Sequence, residues 1–196
     1  NPLAGEVMWD EPWTGTSDKT APTSPSSGAT VYNSTSLTYA YTNGNTTTQV
    51  YADGTMCSGG AAAPELLISK TSPSGVWTVT NIPTGGSAQT ELTLSYKTNK
   101  TTIAVTSGTS GITIGDATVD GNTYTHTITI THSPSTINNF SLIFTNTGNA
   151  NARIDDIHLV VPGSGTMTDY VTLCAPSWTI TYDKNTSDPV TNLPSP

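Results

Sequence analysis

The stretch NARIDDIHLVV, residues 151–161, sets two adjacent carboxylates, Asp155 and Asp156, among Ile154, Ile157 and Leu159, which need burial. In a plain strand successive side chains face opposite ways, so Ile154 and Ile157 would fall on different faces. One extra residue at the Asp pair, a β-bulge, returns both isoleucines to one core and turns at least one carboxylate toward a rim or an ion site. A buried carboxylate without partners is costly, so the pair either holds a metal or ends the strand in solvent with Arg153 as a loose partner.

The opening segment NPLAGEVMWDEPWTG carries further candidates. Its acids are Glu6, Asp10 and Glu11, and its tryptophans are Trp9 and Trp13. Exposed indole rings would stack on the faces of sugar rings and make a carbohydrate site, whereas buried ones would pack under the first strand. Trp77 alternates with Val79 as a core residue does. The histidines point away from zinc, because His126 and His132 lie about 20 Å apart along one strand and lack a third ligand. No G-x-S-x-G element occurs, and Asp116 and Asp120 flank a turn without a cleft that would make them a glycosidase pair. Cys57 and Cys174 are either two buried thiols or a disulfide, which would add up to about 4–5 kcal/mol by closing so long a loop.

The elements that must position these residues are strands. The 196-residue chain is rich in Thr, Ser, Gly and Asn, with 34% hydrophobic and 10% charged residues. Leu37, Tyr39 and Tyr41 alternate with small or polar residues, as do Leu92, Leu94 and Tyr96, and again Phe140, Leu142 and Phe144. The Asp-Gly step in VDGN signals a hairpin between two more strands. PELLISK and GVWTVTNI complete an antiparallel β-sandwich of about nine to ten strands over residues 1–162. Residues 16–30 form a Pro/Ser/Thr-rich loop. Residues 163–196 comprise a linker, an isolated strand SWTITYD containing Trp178, and a trailing segment too polar for its own core.

Charge excludes one class of partner. With 14 acidic and 6 basic residues the formal net charge is −8, and no Lys/Arg cluster is present to neutralise a nucleic-acid backbone. No apolar run approaches the length of a membrane-spanning helix. The start of the chain has no signal-peptide pattern, which is consistent with one already removed, and the composition points to an extracytoplasmic location, secreted or anchored at the cell surface.

The segments DEPWTG, GGAAAPELLI, LTLSYKTN and NARIDDIHL resemble those of jelly-roll, galactose-binding-like domains of secreted bacterial surface proteins. The last of them is similar to the IDDI ending of MAM domains. The resemblance implies neighbouring first and last strands and a structural Ca²⁺ held by a first-strand acid, a last-strand Asp and backbone carbonyls. By position these are Glu11 and Asp155, with Glu6, Asp10 and Asp156 as rivals. The tail WTITYDKNTSDPVTNLPSP is similar to the opening of internalin-type B repeats, with Thr186 and Ser187 where a Gly pair is expected. Together these imply a non-catalytic, adhesin-like surface or interaction module stabilised by Ca²⁺, with a glycan or surface protein as partner. The alternatives are a carbohydrate-binding module and, third, a hydrolase.

Overall fold

The computed structural model describes residues 2–44, 46–57, 61–70 and 72–163. The chain divides after Gly163, so this compact unit is described by itself, and the strand containing Trp178 lies outside the described residues. Its strands are β1 (Val7–Glu11), β2 (Thr30–Val31), β3 (Thr38–Thr42), β4 (Gln49–Gly54), β5 (Ala63–Ile68), β6 (Val76–Pro83) and β7 (Glu91–Thr98). They continue with β8 (Ile103–Thr106), β9 (Ile112–Ile114), β10 (Thr118–Asp120), β11 (Thr123–Ile130), β12 (Asn139–Asn146) and β13 (Ala152–Val160).

These strands form an antiparallel β-sandwich. One sheet has nine strands, running β10-β11-β7-β13-β1-β2, with β5 added to β13, β4 to β5 and β9 to β11. The other has four, in the order β3-β6-β12-β8. The architecture is the expected one, but thirteen strands are present among the described residues rather than nine or ten. The additional strands are short or polar: β2 has 2 residues, β8 has 4, β4 reads QVYADG, and the segment before the VDGN turn is split into β9 and β10 of 3 residues each. A two-residue strand carries no readable alternation.

Between the sheets lies the core that the alternation built. Leu92, Leu94 and Tyr96 of β7 and Phe140, Leu142 and Phe144 of β12 all point into it. At its centre Trp77 packs against Trp13 at 5.1 Å, Tyr39 at 5.3 Å, Trp9 at 5.8 Å and Phe144 at 4.8 Å between ring centroids. The first three contacts are tilted or edge-on and the last is stacked, and such pairs add about 0.5–1.5 kcal/mol each beyond area burial.

The opening puzzle is resolved in β13. Its pairing with β7 runs Ile154↔Thr98, Asp155↔Lys97, and then His158↔Ser95, so Asp156 and Ile157 together oppose Tyr96. This is a β-bulge at the Asp pair, with Asp156 in the left-handed region at φ 46°. Ile154, Ile157 and Leu159 consequently share one core. Asp156 reaches outward to Lys97 Nζ at 2.6 Å, a half-exposed ion pair worth at most about 1 kcal/mol. Asp156→Gly should therefore leave stability nearly unchanged, while Asp156→Val, with a β-branched side chain forced to positive φ, should cost about 1–3 kcal/mol in urea unfolding. Equal stability of the two variants would mean that the left-handed conformation is not what holds the bulge.

Candidate functional site

Glu11 ends β1 on its inward face, opposite Ile157, and is completely buried. Its Oε1 accepts the Trp13 amide at 2.8 Å and the Ser26 hydroxyl at 2.5 Å. Oε2 accepts the Ser26 amide at 3.0 Å and the Tyr39 hydroxyl at 2.7 Å. Trp9 Nε1 donates in turn to the Tyr39 oxygen at 3.1 Å. Each carboxylate oxygen thus takes two protein donors, which replace the lost water and tie the loop after β1 to β3. Burial first, and then the Glu11 charge, push the Tyr39 phenol far above its ordinary range.

The structure does not bring Glu11 and Asp155 together. Glu11 faces the core, whereas Asp155 pairs with Lys97 on the outer face of the same sheet, so the expected calcium pair is separated by the sheet itself. β1 and β13 are neighbours, but sharing an edge does not give two residues a common face. The rival acids are spread out as well. Glu6 accepts the Leu3 amide at 2.7 Å, Asp10 meets His158 Nδ1 at 3.2 Å, and Asp156 holds Lys97. Among the described residues no three His, Cys, Asp or Glu side chains converge on a metal-sized site.

Trp9 and Trp13 are each 0% exposed, so neither offers a ring face to a sugar; both are spent on the core. The histidines have separate partners. His126 Nδ1 donates to Gly115 O at 2.8 Å, and His132 Nε2 donates to Gln89 O at 2.7 Å. Cys57 is buried, and burial, followed by the charges of Glu65 and Asp155, pushes its thiol up to about 12. Cys174 lies outside the described residues, as does the tail likened to a B repeat.

A concave site that the sequence did not announce is built by three turns. The 3-10 turn Tyr32–Ser34 and Thr35, the end of β6 with Gly85 and Gly86, and the start of β12 with Asn138 line a cleft of about 380 Å³. Pro83 and Asn139 complete its wall. Thr84 stitches two of the turns, its hydroxyl donating to Ile137 O at 2.6 Å and its amide to Asn138 O at 2.9 Å. The third turn is held in an uncommon conformation, with Asn33 at φ 51° and Ser34 at φ 52°. Gly85, at φ 92°, could not carry a side chain, because a Cβ would come within 2.5 Å of Pro2.

The chemistry of this cleft is uniform. Its lining contains no charged side chain. The side-chain amides of Asn33, Asn138 and Asn139 and the hydroxyl of Tyr32 make no hydrogen bond to another described residue. Sequence reasoning did not single out YNST, PTGG or INNF; the Asn and Gly in each were the available signal, but only the sandwich shows that they meet. No family model matches the chain, and no curated protein or solved structure is significantly similar to it.

Proposed function

We propose that this β-sandwich is a non-catalytic, adhesin-like interaction module that binds a neutral, polyhydroxylated ligand, a glycan, in the cleft between Tyr32 and Asn138. The observation that carries this reading is the group of unspent amides beside one aromatic ring in an uncharged hollow. An Asn amide offers a donor and an acceptor side by side, which suits vicinal sugar hydroxyls, and the Tyr32 ring supplies apolar area for C–H groups. A volume of about 380 Å³ falls within the range of small-ligand sites. The lack of charge favours a neutral sugar over an acidic one. The jelly-roll resemblance and the Thr/Ser-rich composition fit the same reading, which would place the protein outside the cytoplasm.

Binding should therefore appear on an array of neutral glycans. Asn138→Ala removes one or two hydrogen bonds and should weaken binding about tenfold. Tyr32→Ala combined with Asn138→Ala should abolish it. Asn138 is exposed, so the single variant should melt as the parent does. A glycan bound equally well by the double variant would place the site elsewhere, and an array with no neutral glycan bound would remove the reading.

A further inference from the structure

The cleft lies at one end of the four-stranded sheet. Pro83 and Asn139, which line it, are a cross-strand pair at that end of β6 and β12, and Thr35 leads from it toward β3. Away from the cleft the outward side chains follow in rows: Thr38 beside Thr80 first, then Ile143 flanked by Thr78 and Thr106. All five are exposed or half-buried. The hydroxyls of Thr38, Thr78 and Thr106 make no hydrogen bond to another described residue. The four strands read TYAYT, VWTVTNIP, IAVT and NFSLIFTN, without one Asp, Glu, Lys, Arg or His. In the other sheet, β1, β7 and β13 carry Asp10, Glu91, Lys97 and Asp156 at exposed or half-buried positions.

We propose that the ligand is a linear neutral polysaccharide, whose chain continues from the cleft along β6 and β12 over this uncharged face. The proposal rests on the glycan reading of the cleft and adds the class of glycan, a polymer held along its length. β6 and β12 have 8 residues each and so extend roughly 26 Å, room for several sugar units in a row. An extended sugar chain presents hydroxyls at its edges and C–H groups on its faces; each Thr answers both, with a hydroxyl and a methyl, and Ile143 adds apolar area in the middle. A charge on the face would lose water to an uncharged polymer without gaining a counter-charge, and these strands hold none. Their aromatic rings pack against the core, so each sugar on the sheet contributes little and affinity accumulates with length. A second copy of the chain fits less well: the face spans roughly 400 Å², half of the about 800 Å² that each partner of a stable dimer buries.

Calorimetric titration of the full chain with linear neutral oligosaccharides of glucose, xylose and mannose, from disaccharide to hexasaccharide, tests this directly. In the series that binds, the hexasaccharide should bind wild type about tenfold more tightly than the disaccharide. Ile143→Arg, which sets a charge and a long side chain in the middle of the face, should erase that ratio while leaving disaccharide affinity as it was. Should Ile143→Arg fail to fold, Thr80→Arg, at an exposed position between the cleft and that row, takes its place and should erase the ratio too. Equal affinity of wild type for disaccharide and hexasaccharide would overturn the polymer and leave the cleft reading standing. A tenfold ratio preserved in the Arg variant would also overturn it. So would concentration-dependent dimerisation of wild type that the variant abolishes, since a second copy would then cover the face. Absence of binding by all three series removes the polymer, and the array of neutral glycans then decides the cleft by itself.

Discussion

Glu11→Ala should unfold at much lower denaturant than the parent, with a loss of about 3–5 kcal/mol, the range for removing one partner from a buried charged network. The substitution leaves the amides of Trp13 and Ser26 and the hydroxyls of Ser26 and Tyr39 without their common acceptor. It also opens a hole beside Trp9, Trp13 and Tyr39, and the rigid packing around Trp77 gives little room for collapse. Glu11→Gln tests the electrostatic part alone. An amide keeps the shape but turns one acceptor into a donor, which would face a donor in every orientation, so its loss should be about 1–3 kcal/mol. A wild-type midpoint for Glu11→Ala would show that the carboxylate is incidental to the fold.

Alkaline pH should unfold the domain steeply. Tyr39 and Tyr96 are buried, and burial raises both phenols above their ordinary value, with Glu11 adding to the effect at Tyr39 and Tyr124 at Tyr96. Tyr41 is shifted the same way by burial and Glu11. In the unfolded chain these phenols ionise near pH 10, while in the folded protein they keep their protons. Above that pH the unfolded state binds fewer protons than the native state, so stability falls as pH rises, by about 1.4 kcal/mol per unit for each such tyrosine. Below pH 10 the contribution is fully present. Tyr96→Phe should reduce the slope between pH 10 and 11.5 by about that amount for one residue. Unchanged stability over that interval would mean that the phenols ionise freely in the native state.

How much of this was legible in advance depended on the range of each interaction. The bulge in β13 could be read from eleven consecutive residues, because Asp155, Asp156 and the flanking isoleucines state the conflict locally. The alternation in β7 and β12 likewise gave the inward faces directly. The role of Glu11 could not be read this way, since its donors come from Ser26, 15 positions on, and Tyr39, 28 positions on. Trp13, with φ 57°, turns back beneath the sheet, and no periodicity expresses that. The surroundings of Asp155 were hidden for a related reason: the strand order sets β13 between β7 and β5, with Asp155 opposite Lys97 and not on the inward face with Glu11. The cleft is the extreme case, assembled from turns around residues 32, 85 and 138 whose only local signature is Asn and Gly.

The most direct measurement of the central claim, that the cleft binds a neutral glycan, is a two-dimensional ¹H–¹⁵N spectrum of the labelled protein titrated with the best neutral oligosaccharide from the array. Backbone signals of Asn33, Thr35, Gly85, Gly86 and Asn139 and the side-chain amide of Asn138 should shift progressively and saturate together, while Thr127 and Thr129 on the far part of the nine-stranded sheet stay in place. Saturating shifts confined to any other surface, with the cleft signals unmoved, would contradict it.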